Sequence, residues 1–364
     1  MYLSDKLNLG KSIKLEKRLS VPPVLYLIVP VVSVILVLLL GGLFLAVLGY
    51  NPIEVYEILL NGAFGNTYNF TETIVHAIPL MLTGLGVSLA FKMGLWNIGA
   101  EGQLYFGAFM ASGVALFFHD LPTPLMLTLV LIAGFLGGAL WGFVPAALKV
   151  FLGVNETLTT LLLNYVAILW VDYFIFGPWK DPKGFLPYSK VFPQSAMLPV
   201  FPGTRIHAGL VLAILAAIIL WIIIWKTTWG YEIRLIGENT QVARAAGINI
   251  ARNMLLVMII SGGLAGLAGM GEVCGIIGRL QHNISPGYGY TAIIIAWLSR
   301  LNPLVILLVA VIFGGLNNGG YALQMVGLPE STVTMLQGAI LLFVLGGDIL
   351  TQYRVKIHRR GCGA

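Results

Sequence analysis

Long apolar blocks constrain the fold of this chain more than any other feature. A bilayer-spanning helix needs roughly 20 predominantly apolar residues. Backbone groups in lipid must pair within the segment, so such blocks are expected to be helices. The sequence therefore predicts an all-α polytopic membrane protein with about ten transmembrane helices. Its apolar segments are 24–48, 73–91, 98–118, 123–148, 156–176, 207–225, 253–278, 286–298, 303–320 and 332–350, of which 286–298 is too short to span unaided.

Composition excludes a soluble domain. Hydrophobic residues make up 58% of the 364 residues and charged residues only 10%, whereas a soluble globular domain has about 25% charged residues. The first apolar segment follows a basic N-terminus, but it exceeds the 7–15 residues typical of a secretory signal and lacks a small-x-small cleavage site. It is therefore expected to be a retained first span.

The basic residues predict an orientation. If the N-terminus is cytoplasmic, sixteen of the 21 Lys and Arg residues fall inside, and the five outside are Lys180, Lys183, Lys190, Arg205 and Arg279. This asymmetry follows the positive-inside rule and explains the net charge of +6 without a nucleic-acid partner. We expect a basic cytoplasmic N-terminus at 1–22, a transmembrane permease domain at 23–351 and a cytoplasmic tail at 352–364.

Cysteine and histidine residues give no sign of a metal or disulfide site. The two cysteines, Cys274 and Cys362, are far apart in the sequence, and the five histidines lack metal-ligand spacing. We therefore expect no metal ion and no disulfide framework.

Two loops are long, the extracytoplasmic 177–206 and the cytoplasmic 227–252. In the second, Asn239 or Thr240 is a suitable N-cap for a helix over Thr240–Ala246. Gly247 is suited to the position after its end. The small residues Ala243, Ala246 and Gly247 predict one flat, approachable face. Such a short helix is marginal by itself, so it either lies on lipid or contacts a partner protein.

Four sequence motifs carry a family resemblance. They are the cytoplasmic loop, Met93–Gln103, Gly153–Thr157 with Leu163–Tyr165, and Ile284–Tyr290. Together they resemble permease subunits of ATP-binding-cassette (ABC) importers, in the branch that serves ribose-type sugars, branched-chain amino acids and nucleosides. The nucleoside type is the most similar.

The resemblance implies a set of partners. These are a cytoplasmic ABC ATPase, a second and related but different permease subunit, an extracytoplasmic solute-binding lipoprotein and the lipid of a bacterial cytoplasmic membrane. The residues implied in ATPase coupling are Gly237, Glu238, Asn239, Thr240, Ala243, Arg244, Ala246 and Gly247.

The chain itself is expected to bind no cofactor and to be no enzyme. Its only Gly-Lys-Ser, at 10–12, has Asp5 where a P-loop needs its first glycine. ATP hydrolysis is therefore assigned to the partner subunit.

Polar breaks interrupt two apolar regions, at 92–102 and 278–289. Paired breaks in the two halves of a transporter mark its central pathway and predict discontinuous helices. Glu101, which is not expected to face lipid, either caps nearby N–H groups, pairs with Lys92, or contacts solute. The candidate pathway residues are Trp96, Asn97, Glu101, Asn164, Tyr288, Asn317 and Asn318.

Glycine ladders predict close helix packing. Gly134, Gly138 and Gly142 recur every fourth residue, as do Gly262 and Gly266, and small residues at this spacing let helices approach closely.

Other functions remain open at this point. A ribose-type sugar permease shares most of the motifs. An ion-coupled secondary carrier would use Glu101, Asp172, Glu272 and Asp348 but does not require the capped cytoplasmic helix. A membrane enzyme is disfavoured because the chain has no Gly-x-Ser-x-Gly elbow.

Overall fold

A computed structural model describes residues 11–17, 23–329 and 331–359, and the side chains of 28–29, 31–329 and 331–347. The regular secondary structure of these residues is helical, apart from two short strands, β1 (Lys11–Lys17) and β2 (Tyr353–Arg359). The helices are α1 (Pro23–Val47), α2 (Pro52–Phe64), α3 (Thr67–Lys92), α4 (Ala100–Phe117), α5 (Thr123–Leu152), α6 (Glu156–Phe176), α7 (Gly209–Lys226), α8 (Thr228–Glu238), α9 (Thr240–Ala245), α10 (Ile250–Glu272), α11 (Tyr288–Leu298), α12 (Pro303–Met325) and α13 (Ser331–Gln352). A π-helical turn, Val273–Ile277, prolongs α10.

The all-helical, polytopic prediction is confirmed, because each predicted apolar segment coincides with one helix. Among the described residues, six helices are long and apolar enough to cross a bilayer by themselves: α3, α5, α6, α7, α10 and α12. A seventh results if α1 and α2 count as one span. The predicted total of ten spans is not confirmed. α11, with 11 residues, extends only about 16 Å at 1.5 Å per residue.

One compact unit comprises Met1–Ile53 and Thr334–Ala364. In it, β1 pairs antiparallel with β2, with Lys11 opposite Arg359 and Lys17 opposite Tyr353. The Ser33 hydroxyl donates to the Phe343 carbonyl at 3.0 Å and joins α1 to α13. The two strands were not predicted from the sequence. Asp5, Gly10 and Cys362 lie outside the residues that the structure describes, as do three of the basic residues counted as cytoplasmic, Lys6, Arg18 and Arg360.

The second unit, Glu54–Val333, contains the bundle. α3 is buried along most of its length and packs against α7, α10, α11 and α12. α4, α5 and α10 pack against one another. The predicted glycine ladders account for this second contact: a Cβ at Gly138 would meet the Gly262 carbonyl, and one at Gly266 would meet the Gly134 carbonyl.

Asparagine residues begin many of these helices. An asparagine side-chain oxygen that accepts a backbone N–H in the first turn satisfies a donor that has no partner within the helix. Six of the described helices begin this way, with the caps Asn51 for α2, Asn66 for α3, Asn155 for α6, Asn239 for α9, Asn249 for α10 and Asn302 for α12.

Candidate functional site

The two polar breaks meet inside the bundle. The first turn of α4 lies against the first turn of α11, so closely that a Cβ at Gly289 would meet the backbone of Glu101. We call residues 97–103 and 285–290 the half-helix junction. α4 and α11 thus begin beside each other, and the partial positive charges of two helix N-termini converge there.

Glu101 is the acidic residue of this junction. Its side chain is 2% exposed, and Oε2 accepts the Gly289 N–H at 2.7 Å. The Ser285 hydroxyl also hydrogen-bonds this carboxyl group, and the Ser285 oxygen accepts the Tyr288 N–H at 2.8 Å. The expectation that Glu101 caps nearby N–H groups is confirmed. The alternative pair with Lys92 is not formed among the described residues, and the Lys92 ammonium lies over the Trp225 ring instead.

Asn97 fixes the extended segment before α4. It is fully buried, and its Nδ2 donates to Gln103 Oε1 at 3.0 Å and to the Ser261 hydroxyl at 2.9 Å. Its Oδ1 accepts the Gly99 N–H at 3.0 Å. Gln103 and Ser261 were not predicted as site residues, and Gln103 had only its place in the Met93–Gln103 motif as a signal.

Asn164 connects α6 to both polar breaks by hydrogen bonds. Its Oδ1 accepts the Gly102 N–H at 2.8 Å, and its Nδ2 donates to the Ile98 carbonyl at 2.9 Å and to the Tyr290 hydroxyl at 3.2 Å. Tyr290 was not singled out from the sequence, although it ends the Ile284–Tyr290 motif. The junction therefore holds Asn97, Glu101 and Asn164 in defined orientations.

Tyr288 belongs to the half-helix junction, whereas Trp96 lies just before it. Tyr288 is 2% exposed and its hydroxyl is 3.1 Å from His76 Nδ1. Trp96 is 45% exposed and packs with Phe91 and Trp297 in an aromatic trio with ring centroids 5.2–5.9 Å apart. The structure thus brings four of the seven candidates together around the half-helix junction: Asn97, Glu101, Asn164 and Tyr288.

Asn317 and Asn318 lie on α12. The Asn318 Nδ2 donates to the carbonyls of Gly62 at 3.1 Å and Asn69 at 2.9 Å. It thereby connects α12 to the turn between α2 and α3. Asn317, its half-buried neighbour on α12, remains a predicted pathway residue.

The predicted short helix of the loop exists as α9. Asn239 is its N-cap, and its Oδ1 accepts the N–H groups of Gln241 at 2.9 Å and Val242 at 3.2 Å. Gly247 follows the end of the helix with φ +77°, the left-handed conformation that favours glycine. The helix ends at Ala245, one residue earlier than predicted.

One part of the predicted flat face is wrong. Ala243 is fully buried, because it lies on the side of α9 that packs onto the protein. The exposed side of this segment contains Val242, Arg244, Ala246 and Gly247. Glu238, Asn239 and Thr240 at the start of α9 are also exposed.

α8, which was not predicted from the sequence, connects α9 to the bundle. A Cβ at Gly237 would meet the Lys92 carbonyl at the end of α3. The Trp229 Nε1 donates to Asn253 Oδ1 at 2.6 Å, and the Asn253 Nδ2 donates to Glu232 Oε2 at 2.8 Å. We call α8 and α9 with Gly247 the coupling segment. A cleft of about 700 Å³ lies between this segment and α10.

Comparison with known proteins identifies relatives over most of the chain. Residues 69–345 match the family described as "Branched-chain amino acid transport system / permease component". The glucose ABC transporter permease protein TsgB13 of Haloferax volcanii is 35% identical over 96% of this chain and 95% of its own length. The guanosine ABC transporter permease proteins NupP and NupQ of Bacillus subtilis are 35% and 30% identical, over 95% and 66% of this chain and 99% and 78% of their own lengths. No solved structure matches the chain.

Proposed function

We propose that this chain, which belongs to the family described as "Branched-chain amino acid transport system / permease component", is the membrane-spanning subunit of an ABC importer for nucleosides. Its role is to translocate a small polar solute, while a separate cytoplasmic ATPase hydrolyses ATP. The chain itself contributes no catalysis. The observation that carries this proposal is the coupling segment.

The coupling segment has the properties of a contact that transmits force to the bundle. α9 is capped at both ends. Val242 and Arg244 on the helix and Ala246 after it are exposed, so a partner protein can bind this surface. α8 connects α9 to three helices: to α7 through Thr227, whose hydroxyl donates to the Ile223 carbonyl, to α3 through Gly237, and to α10 through Asn253. A partner that moves α9 therefore also moves the ends of spans that pack around the half-helix junction.

The preference for a nucleoside comes from the relatives. NupP, named for guanosine, matches nearly its full length, and NupQ carries the same solute in its name. TsgB13, named for glucose, is equally similar, so a sugar is the second candidate. An ion-coupled carrier has no counterpart among these relatives and does not use a segment of this kind.

The remaining partners are part of the proposal. A second, different permease is supported by NupP and NupQ, two guanosine permease proteins of one organism. An extracytoplasmic lipoprotein would deliver the solute. The pairing of β1 with β2 places the first and last described segments side by side, which supports a topology with both ends of the chain on the cytoplasmic side of the bacterial inner membrane. The coupling segment then faces the cytoplasm, and loop 177–206 faces outward.

The coupling role is tested with two matched glycine variants. Gly247 and Gly327 both have positive φ, +77° and +86°, and a Cβ at either meets nothing within 4 Å among the described residues. Gly247→Trp is expected to abolish solute-stimulated ATP hydrolysis by the reconstituted complex, because the bulky side chain blocks the partner. Gly327→Trp introduces the same backbone strain away from the coupling segment and is expected to keep it. Full coupling in Gly247→Trp rejects the assignment of this segment.

The energy source is tested in cells. Uptake is expected to stop when the ATPase gene is deleted and to continue with a protonophore under conditions that preserve ATP. The reverse pattern identifies an ion-coupled carrier.

A further inference from the structure

Basic and tryptophan side chains gather where the ends of α3 and α7 meet α8. The Lys92 Nζ lies 5.1 Å and the Arg234 Cζ 4.9 Å from the ring centroid of Trp225. The Lys226 Nζ lies 5.9 Å from the ring centroid of Trp221. A cation over an indole ring is attracted by the negative face of that ring. We call these five residues the basic cluster, and none of them belongs to the half-helix junction.

The basic cluster has an excess of positive charge. Lys92 and Arg234 share one ring, so their charges are no more than about 10 Å apart, which is comparable to the Debye length of about 8–10 Å. Arg234 repels Lys92 more strongly than Glu238 attracts it. Among the described residues, none of the three cations forms an ion pair with a carboxylate. An anion from outside the chain would therefore be attracted by all three.

Arg234 is held in place and still has donors for such an anion. Its Nη1 donates to the Ile224 carbonyl in the last turn of α7 at 2.7 Å. A guanidinium carries five N–H donors, so this hydrogen bond uses only part of its capacity, and its planar fork matches the geometry of a phosphate group. Lys226, which is exposed, adds an ammonium group beside it.

An exposed apolar stripe on α7 leads to the basic cluster. Leu215, Ile218, Ile222 and Trp225 follow one another at intervals of three or four residues, so they lie on one face of the helix. Each of them is 43–50% exposed, and α7 is long and apolar enough to cross a bilayer. Tryptophan residues at the ends of spans lie at the depth of the lipid headgroups. The stripe is therefore a surface for acyl chains, and the basic cluster lies at its headgroup end.

We propose that the basic cluster binds the phosphate group of an anionic phospholipid in the cytoplasmic leaflet, with the acyl chains along the α7 stripe. Lys92, Lys226 and Arg234 donate hydrogen bonds to the phosphate oxygens. Basic pockets between spans on the cytoplasmic side recognise such headgroups. The inference rests on the proposed function in one respect, since the orientation given there places the cluster in the cytoplasmic leaflet.

The continuity of the cluster with the stripe favours a lipid over a protein as the occupant. An acidic surface of the ATPase would match the charges but would leave the apolar face of α7 without a partner. A phospholipid matches both features, because one molecule carries a charged headgroup and apolar chains.

The experiment counts the phospholipids that the complete transporter retains when it is released from nanodiscs into native mass spectrometry. The nanodiscs contain equal amounts of phosphatidylglycerol and phosphatidylcholine. Wild type is expected to retain more phosphatidylglycerol, because its headgroup carries a net negative charge. The double variant Lys92→Gln/Lys226→Gln is expected to lower the ratio of the two retained lipids at least fivefold, since one basic side chain near an anionic lipid contributes about this factor.

Two single variants complete the test. Arg252→Gln removes the same charge from an exposed position on α10 outside the cluster, and it is expected to keep the wild-type ratio. Lys226→Gln changes only an exposed side chain, so it reports on the cluster even if Lys92→Gln does not assemble. Its ratio is expected to lie below that of wild type.

Equal lipid ratios in wild type, the double variant and Lys226→Gln overturn the inference. So does an Arg252→Gln ratio that falls as far as that of the double variant. An ATPase surface as the occupant gives unchanged lipid ratios together with loss of the ATPase from the purified double variant, and it also overturns the inference.

ATP-dependent solute uptake into proteoliposomes separates the two proposals. Its absence in wild type, with the expected lipid ratios, rejects only the proposed function. Its presence in wild type, with a lipid ratio that the double variant does not change, rejects only the lipid site.

Discussion

The Glu101 carboxylate, in the first turn of α4, accepts the backbone N–H of Gly289, in the first turn of α11, at 2.7 Å. Each N-terminus leaves N–H groups without helical partners: Glu101 accepts the one from Gly289, while Asn97 and Asn164 accept those of Gly99 and Gly102. The carboxyl group of Glu101 therefore joins the starts of α4 and α11 directly.

This relationship predicts a graded loss of stability at Glu101. Glu101→Ala leaves the Gly289 N–H unpaired in a buried position and is expected to cost about 1–3 kcal/mol. Glu101→Gln keeps a carbonyl oxygen as acceptor and is expected to cost less. Thermal unfolding of the purified protein measures both. Equal midpoints for wild type and Glu101→Ala would show that the contact does not stabilise the junction.

Asn164 predicts a different pattern, because it is both donor and acceptor. Asn164→Asp retains the acceptor for the Gly102 N–H but places a carboxylate oxygen against the Ile98 carbonyl. We expect a loss of about 2 kcal/mol or more, as for a buried polar group left without its partner, and loss of transport. Tyr165→Phe, at the exposed neighbouring position, serves as the control. A stable Asn164→Asp protein with full transport contradicts the assigned contacts.

The glycine ladder predicts a backbone clash. A Cβ at Gly138 would meet the Gly262 carbonyl and the Gly266 backbone, so Gly138→Ala must push α5 away from α10. Overpacking of this kind costs about 1–3 kcal/mol. Gly338→Ala on α13 is the control, since its Cβ meets no described atom within 4 Å, and it should be neutral or slightly stabilising. The two unfolding midpoints test this; a Gly138→Ala protein as stable as Gly338→Ala disproves the contact.

The α9 cap predicts a functional rather than a global effect. Asn239→Ala removes the acceptor for two N–H groups, which costs a helix about 1 kcal/mol. Because α9 has only six residues, we expect it to fray and ATPase coupling to fall. Asn66→Ala removes the cap of α3, which packing holds along its length, and is expected to leave coupling intact. Coupled ATPase assays compare the two, and equal losses would argue against a specific role for α9.

Local features could be predicted from the sequence. The apolar segments coincide with ten helices, and the cap of α9 by Asn239 depends on residues only two and three positions away. α8 was not predicted, because its polar and apolar residues alternate too briefly to form an apolar block. α2 is similarly short, with charged residues in its sequence. The pairing of β1 with β2 joins residues more than 330 positions apart, which no local pattern indicates.

The two polar breaks, at 92–102 and 278–289, interrupt apolar segments. That sequence pattern predicted that both breaks lie at the central pathway of a transporter. The sequence by itself determined that the chain is helical, that it is suited to a membrane, and that a capped helix stands between two spans. These properties depend on apolar length and on hydrogen bonds between near neighbours. Only the tertiary structure decided that Glu101 meets Gly289, 188 positions away, that Ala243 faces inward, and that Glu72 meets Arg205. Such contacts depend on how helices pack, and packing is set by the shapes of surfaces that are distant in sequence.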